Sequence, residues 1–417
     1  YTTNGPKNDK EFLATFLVVV ARIVDDPAEL DDSKAAMTYG AFVINTHDEG
    51  VRVVSRCDFM GIKAIYNGLI AFDNVLVAVD QRIGNEGDGI RVALSTLAIG
   101  RLTLPAACVG AFKQALAISR WWAGQRVQLF RRIGDHELIA KKLADIAAHL
   151  FALEGMVNMV CQWVDEKKDV RLESAACKVL GTDWLWKYLN EALQIRSGRG
   201  YETAESLQAR GEKPVSLERM VRDSRINLIF EGTNEIMRLW VAREGMDPYV
   251  KRGMAFQRGS IIAKAKAAFG ILRRFVRYRR SGAGSLDVPK PLRKHLAFVA
   301  KEARRLTRTA IMASALYQQK MVRKQLVVAR LADVAMELFA IAATCSYAAH
   351  LAPVHGQKVV ELADYFAWEA RKRIHPPQGF GAQLFRDPNR DRVRTVSKAI
   401  LDNKMHWLED GIVHVIP

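Results

Sequence analysis

The sequence predicts an α+β fold that is mostly α-helical, in which a partial antiparallel β-region precedes two helical regions. Short apolar runs with a period of two are confined to about the first 76 residues, whereas apolar residues recur at helical spacing after residue 89. The chain has 417 residues, 49% of them hydrophobic and 26% charged, which is the composition of a globular protein with several cores. We expect three domains, at residues 1–83, 84–247 and 248–417.

Four strands are predicted in the first domain, because β-branched and aromatic runs are separated there by turn residues. They are expected at residues 16–20, 37–44, 51–55 and 68–72. Runs of this length and period are typical of an antiparallel sheet.

Helices are predicted for most of the remaining chain. Helical spacing from Val92 to about Val241 indicates a four- or five-helix bundle. Pro248 is expected to end the last of these helices, because the residue before a proline disfavours helical backbone angles. After a flexible joint at residues 281–285, further helices are predicted at residues 292–321, 327–349, 359–374 and 396–408.

Nothing in the sequence predicts a membrane-spanning or secreted protein. The longest apolar runs fall far short of the roughly 18 residues that a spanning helix needs, and no signal peptide is recognisable. The five cysteines have no paired spacing, which argues against disulfides and predicts a reducing compartment. No metal site is expected.

One carboxylate, Glu231, lies between apolar residues and a glycine. Beside Ile229 and Phe230 it should lose part of its hydration, which would raise its pKa and let it act as a base near neutral pH. Gly232 allows the backbone to turn sharply, and Thr233 is expected to cap a following helix. From local chemistry alone, a glutamate in an ordinary helix–helix turn is an equally good interpretation.

Four segments, in order along the chain, resemble motifs of the acyl-CoA dehydrogenases, and the whole is close to their very-long-chain branch. They are residues 1–5, 84–89, 194–201 and 222–236, which resemble a strand of the β-domain, the loop opening the C-terminal helical domain, a glycine turn and the segment around the catalytic glutamate. The resemblance implies an incomplete β-domain, the family's helical FAD and acyl-CoA domain, and an additional helical domain. It also implies that a leading helical domain precedes Tyr1.

The resemblance implies flavin-dependent α,β-dehydrogenation of a long or very-long-chain acyl-CoA to trans-2-enoyl-CoA in fatty acid β-oxidation. Glu231 would take the α-proton, FAD would take the β-hydride, and the electrons would pass to an electron-transfer flavoprotein. The backbone N–H of Glu231 and a flavin ribityl hydroxyl would hold the thioester oxygen. Phe230 and Gly232 would contact the substrate. Arg101 matches an arginine lining the family's site, with a helix-surface arginine as the alternative, and Gly100 occupies the position of a base found in some relatives.

Seven residues resemble flavin contacts of the family. Thr3 corresponds to a contact at the isoalloxazine edge, and Arg126 to an arginine that reaches a neighbouring subunit's FAD pyrophosphate. The full set is Thr3, Arg126, Gln128, Gln194, Gly198, Thr233 and Glu235.

Three departures from the family's pattern fall near these contacts. Leu129-Phe130 stands where phenylalanine and glycine are usual, and Arg196 and Arg199 bring two cations toward the expected pyrophosphate. The segment 202–216 is longer than in most relatives.

The net charge of +17 favours anionic partners, and ten lysines and arginines without one acid lie between Lys251 and Arg280. Residues 255–280 are predicted to form an amphipathic helix on an anionic membrane surface, with a basic helix packed on the bundle as the alternative. The resemblance further implies a homodimer, in a bacterial cytoplasm or a mitochondrial matrix, peripheral on the inner membrane.

Two other functions remain open at this point. One is a non-catalytic assembly or scaffold relative. The other is a basic, DNA-associated family member, whose affinity would fall steeply with salt. Few aromatic residues interleave with the basic ones, so base stacking is poorly supported and a nucleic-acid partner is not expected.

Overall fold

The computed structural model describes residues 14–30, 37–258, 288–376 and 390–413. By its backbone contacts the chain divides into two compact units, residues 1–100 and 101–417. The three-domain division at residues 83 and 247 stays a prediction.

The described residues of the first unit form two small antiparallel sheets, and all four predicted strands are confirmed. Strands β1 and β2 pair along their whole length, so that Phe16 lies opposite Asn45. Along β1 the side chain of Leu17 is buried and that of Val18 is exposed, as the period of two requires. The strands are β1 (Phe16–Ile23), β2 (Thr38–Asn45) and β5 (Arg82–Ile83) in one sheet, and β3 (Val51–Arg56) and β4 (Gly68–Phe72) in the other.

Helices make up most of the rest, which confirms a mostly α-helical fold with small antiparallel sheets. In chain order they are α1 (Gly89–Gln125), α2 (Glu137–Asp165), α3 (Arg171–Arg196), α4 (Gly198–Tyr201), α5 (Ala204–Ala209), α6 (Leu217–Ser224), α7 (Asn234–Arg258), α8 (Lys290–Tyr317), α9 (Gln325–His355), α10 (Gln357–Ile374) and α11 (Arg390–Leu401). A short hairpin, β6 (Val127–Gln128) and β7 (Arg131–Arg132), connects α1 to α2. The helices predicted at 292–321, 327–349 and 359–374 are confirmed as α8, α9 and α10.

Helix α2 lies at the centre of the second unit. It packs against α3, α9, α10 and α11. Leu143, Ile146, Leu150 and Leu153 are fully buried on it. Burial of each such side chain contributes about 1.5–3 kcal/mol of transfer free energy. One hydrophobic core extends from Cys108 to Leu408, so the helices after residue 288 share it with those before residue 258.

The prediction that Pro248 ends its helix is wrong, because α7 continues to Arg258. A proline removes one N–H donor and crowds one carbonyl, which bends a helix more readily than it ends a well-packed one. The packing of α7 on α3 and α9 outweighs that local cost.

The prediction of one continuous helix at 396–408 is also wrong, because α11 ends at Leu401. Asn403 has a φ of +58°, and the N–H of Lys404 donates to the carbonyl of Ala399 at 2.8 Å. This is the left-handed helix ending for which asparagine is the commonest choice after glycine. A separate single-turn helix follows it.

Three sequence predictions lie outside the described residues. They concern Thr3, the joint at 281–285 and residues 259–280 of the basic segment.

In the part of the chain that the structure describes, α1 and α2 are long and apolar enough to cross a membrane by length and composition. Most of the apolar stretch of α2 is buried inside the bundle, as in the core helix of a soluble protein. Length and composition alone do not assign a membrane span to either helix.

A buried ion pair joins α1 to the single-turn helix His406–Glu409. Nε and Nη2 of Arg120 each donate to a different carboxylate oxygen of Glu409 at 2.7 Å. The Glu409 side chain is only 1% exposed, so the pair is almost fully withdrawn from water on that side.

We expect Glu409→Ala to lower the free energy of unfolding by about 3 kcal/mol, because it leaves a half-buried guanidinium without its partner. The control is Glu361→Ala, which breaks a partly exposed pair with Lys358 and should cost less than about 1 kcal/mol. Urea denaturation measures both changes in the free energy of unfolding, provided that its slope against urea concentration is the same in each variant. Equal losses in the two variants would contradict the assignment.

Candidate active site

A tight turn carries Glu231 between the single-turn helix Arg225–Leu228 and α7. Glu231 has a φ of +58° and Gly232 a φ of +92°, so two consecutive residues are left-handed. A left-handed conformation costs a non-glycine residue about 1–2 kcal/mol. At Gly232 a Cβ would also lie 2.9 Å from Sδ of Met237. The predicted turn at Gly232 is confirmed.

Helix α7 begins immediately after this turn. The N–H of Ile236 donates to Oγ1 of Thr233 at 3.4 Å, which confirms Thr233 as the helix cap. Glu235 is exposed in the first helical turn, where the helix dipole favours a negative charge. The flavin contacts of Thr233 and Glu235 stay predictions.

The Glu231 side chain is half-buried, and its Oε2 atom is buried. Among the described residues no donor is paired with Oε2, and no acceptor is paired with the backbone N–H of Glu231. The apolar side chains before it, Ile229 and Phe230, are 47% and 39% exposed. An unpaired buried oxygen on a strained residue is costly, and such features concentrate at functional sites. The turn therefore presents an acceptor and a donor to a ligand.

A buried cation, Lys178 of α3, lies beneath the turn. Its Nζ donates to the carbonyl of Gly232 and to Oδ1 of Asn234, each at 2.7 Å. Burial lowers the pKa of Lys178 to about 8, against the opposing charges of Asp183 and, more weakly, Glu231. Lys178 was not predicted from the sequence, because nothing beside it in the chain distinguishes it from an ordinary helical lysine.

The contacts of Asn234 extend from this lysine into a polar network. Nδ2 of Asn234 donates to Oγ1 of Thr182 at 2.9 Å and to Oδ1 of Asp183 at 2.8 Å. Arg238 of α7 pairs with Asp183 and, through Nε at 2.8 Å, with Asp333 of α9. The start of α7 is thus bonded to both α3 and α9.

Arg101 lies against α7, with its guanidinium 5.4 Å from the ring centre of Trp240. Its Nε is buried and has no partner among the described residues. Within that part of the chain, no ion pair joins Arg101 to Glu231. Arg101 is therefore held by a cation–π contact, and its role toward a substrate stays a prediction.

The β6–β7 hairpin carries Arg126 and Gln128. Arg126 is exposed and forms no ion pair with any described carboxylate, and the carbonyl of Gln128 is 3.1 Å from Nε2 of His136. At the tip, Leu129 and Phe130 have φ values of +49° and +64° and are exposed. The departure at this position therefore places two bulky residues in a conformation that suits glycine.

Gln194 and Gly198 lie at the C-terminal end of α3 and are both exposed. The N–H of Ser197 donates to the carbonyl of Gln194 at 3.1 Å, and Ser197 is left-handed with a φ of +57°. At Gly198 a Cβ would meet open space. This geometry forms the predicted turn, and its contact with an adenosine group stays a prediction.

Arg196 is buried rather than facing solvent. Its guanidinium lies 5.4 Å from the ring centre of Trp121 and 5.3 Å from that of Trp122. Nε and Nη1 of Arg196 have no partner among the described residues. Trp122 thus contacts the end of α3, and the N–H of Arg126, four residues further along the chain, donates to the carbonyl of Trp122 at 2.9 Å. We call Arg126, Gln128, Gln194, Arg196 and Gly198 the distal cluster.

The other new cation, Arg199, is already paired. It donates from Nε at 2.6 Å and from Nη2 at 3.0 Å to the carboxylate of Glu212, in the longer segment 202–216. Hydrogen bonds from Arg199 and then Arg210 lower the pKa of Glu212 to about 2. The segment thus supplies the carboxylate that neutralises Arg199.

The distal cluster and the Glu231 turn lie near different positions along one helix. Lys178 beneath the turn and Arg196 are 18 residues apart on α3, a distance of about 27 Å at 1.5 Å per residue. The structure therefore brings Phe230, Glu231, Gly232, Thr233 and Glu235 together, and it places the distal cluster apart from them.

The family model and the relatives that this chain matches are all acyl-CoA dehydrogenases. Residues 87–246 match the family described as the C-terminal domain of acyl-CoA dehydrogenase. The chain is 38% identical over 426 residues to the probable acyl-CoA dehydrogenase FadE10 of Mycobacterium tuberculosis, covering 99% of this chain and 63% of the relative. It is 30% identical over 420 residues to the mitochondrial very long-chain specific acyl-CoA dehydrogenase of Rattus norvegicus, covering 97% and 62%.

A solved structure shares the fold. The crystal structure of an acyl-CoA dehydrogenase complexed with FAD from Bacillus anthracis matches with a TM-score of 0.71 at 24% identity, covering 94% of this chain and 68% of that chain. The chain spans slightly less than two thirds of the length of the curated relatives it matches.

We expect Phe130→Gly to raise the free energy of unfolding by about 1 kcal/mol, because it relieves a left-handed conformation of an exposed side chain. The control is Leu138→Gly in the first turn of α2, where the side chain is 81% exposed and glycine should cost about 1 kcal/mol. Thermal unfolding compares the two variants. The strain assignment is wrong if Phe130→Gly loses as much stability as Leu138→Gly.

Proposed function

We propose that this chain, which belongs to the acyl-CoA dehydrogenase family, catalyses FAD-dependent α,β-dehydrogenation of an acyl-CoA to trans-2-enoyl-CoA. The observation that carries this proposal is Glu231, a half-buried carboxylate with an unpaired oxygen on a strained turn. A retained base of this kind favours an enzyme over a non-catalytic scaffold. No comparison favours a DNA-associated function.

Glu231 would remove the α-proton of the thioester. Its Oε2 has no donor among the described residues, so the oxygen is available to accept that proton. The unpaired backbone N–H of the same residue would bind the thioester oxygen, where it would stabilise the developing negative charge and so acidify the α-carbon. The chemistry that FAD supplies when bound is acceptance of the β-hydride, which leaves the carbon–carbon double bond.

The distal cluster has the properties expected of an FAD phosphate site. Arg126 is an exposed cation without a described carboxylate partner, and Gly198 leaves open space beside the turn. Arg196 contributes two N–H groups without described acceptors. Because Arg126 resembles the family arginine that reaches a neighbouring subunit's FAD, we assign the cluster to the flavin of a second copy of the chain. We therefore propose a homodimer, which equilibrium sedimentation tests.

The proposed substrate is a long or very long acyl-CoA, with an electron-transfer flavoprotein as electron acceptor. The support for chain length is the 30% identity to a relative named very long-chain specific. The acceptor rests on the family resemblance alone. The relatives come from bacteria and mitochondria, which supports a bacterial cytoplasm or a mitochondrial matrix.

We also propose that residues 255–280 bind an anionic membrane surface. The support is the excess of basic residues and their amphipathic spacing in the sequence. Co-sedimentation with vesicles that contain phosphatidylserine, compared with phosphatidylcholine alone, tests this surface.

Arg126→Ala should weaken FAD binding roughly 10- to 100-fold, because a charge-assisted hydrogen bond contributes about 1.5–3 kcal/mol. Arg219→Ala is the control, since Arg219 is exposed and pairs only with exposed Glu205 among the described contacts. Flavin fluorescence during titration of the apoprotein gives both dissociation constants. Unchanged affinity in Arg126→Ala would remove Arg126 from the flavin site.

Glu231→Gln should keep bound FAD but lose bleaching of the oxidised flavin band when palmitoyl-CoA is added without oxygen. Glu205→Gln, an exposed glutamate on α5, should bleach as the wild type does. Equal bleaching in wild type and Glu231→Gln would reject Glu231 as the base.

The same titration with butyryl-CoA should bleach the wild type more slowly, and a faster reaction would reject the preference for long chains.

A further inference from the structure

Lys178 is a buried cation that forms no ion pair with any described residue. Its side chain is fully buried, and both of its hydrogen-bond acceptors are neutral. A buried charge is normally paired, because loss of hydration costs several kcal/mol. The buried, unpaired charge lies directly beneath the turn that carries Glu231.

From this placement we propose that Lys178 is a positioning residue, whose ammonium group fixes the turn that presents Glu231 to the substrate. The proposal rests on the function proposed for Glu231. Lys178 would not contact the reacting atoms, because its hydrogen bonds go to Gly232 and Asn234.

The turn is strained at Glu231. Glu231 is left-handed, and an isolated turn would relax it at a gain of about 1–2 kcal/mol. The carbonyl of Gly232 follows that strained residue directly, and Lys178 holds it at 2.7 Å. A charge-assisted hydrogen bond of this kind contributes more than a neutral one, so it can oppose the relaxation.

A second anchor lies on the same, C-terminal side of Glu231. Lys178 also holds Asn234, the first residue of α7, and Asn234 is bonded to Thr182 one helical turn further along α3. The backbone that follows Glu231 is therefore held at two points from one rigid helix. Asp183 on α3 and Glu231 and Glu235 around the turn are the carboxylates that act electrostatically on the lysine.

An apolar side chain at position 178 could not replace the lysine. Leucine or methionine would fill the same space without the cost of a buried charge. Neither could donate a hydrogen bond, and the Gly232 carbonyl would then be unpaired at a cost of about 1–3 kcal/mol. The lysine is therefore explained by the turn rather than by core packing.

The test compares Lys178→Met, Lys178→Gln and Lys187→Met in the flavin-loaded enzyme. Glutamine keeps a donor without the charge, and Lys187 is an exposed lysine on the same helix that serves as the matched control. Hydrogen exchange of the amides at residues 230–234 reports the turn without any chemistry. Anaerobic stopped-flow bleaching with palmitoyl-CoA reports the proton-abstraction step.

We expect Lys178→Met to speed exchange in the turn and to slow bleaching roughly 100-fold, because misplacing a catalytic group by about 1 Å costs that much. The loss should appear in kcat, with KM and FAD content nearly unchanged. Lys178→Gln should show a smaller loss of the same kind, and Lys187→Met should show none. If Lys178→Met fails to fold, Lys178→Gln decides.

Three results would overturn the proposal. The first is hydrogen exchange in the turn of the Lys178 variants at the wild-type rate. The second is an effect of Lys187→Met as large as that of Lys178→Met. The third is a change in KM of the Lys178 variants with kcat unchanged. If the wild type itself does not bleach, the proposed function fails, while the exchange measurement still decides whether Lys178 holds the turn.

Discussion

The contact between the Lys178 ammonium and the Gly232 carbonyl is the constraint on which the geometry of the Glu231 turn depends. It joins a buried side chain of α3 to the backbone oxygen of Gly232, the residue between Glu231 and the helix cap at Thr233. Because α3 packs on the central helix α2, the turn inherits the rigidity of the core. A carboxylate that abstracts a weakly acidic proton must be held within a fraction of an ångström, and a rigid element provides this better than a loop.

The same network connects the turn to the helices after residue 288. Arg238, one turn into α7, pairs with Asp183 of α3 and with Asp333 of α9. These contacts are partly buried, so their charges are screened less than those of surface pairs. A change in how α9 packs would therefore reach the start of α7. The later helices form part of the support of the candidate site, in addition to sharing its hydrophobic core.

Local signals in the sequence predicted the strands, most helices, the turn at Gly232 and the cap at Thr233, because each depends on a few neighbouring residues. Lys178 could not be predicted in this way, since its partners lie more than fifty residues later and nothing around it differs from an ordinary helix. The predictions at Pro248 and at Asn403 were wrong for opposite reasons. Tertiary packing carried α7 past a proline, whereas a left-handed asparagine ended α11 within a helical pattern.

The two halves of the candidate site depart from the family's pattern to different degrees. The Glu231 turn keeps it, whereas Arg196 within the distal cluster and Arg199 beside it are additional cations. The structure accounts for both gains within the protein: Glu212 neutralises Arg199, and two indole rings enclose Arg196. Within the distal cluster as described, Arg126 is then the exposed cation left for a phosphate group. Recognition of a pyrophosphate would therefore depend on Arg126, on the unpaired nitrogens of Arg196 and on the space beside Gly198, whereas Arg199 would mainly stabilise the chain after α3 through Glu212.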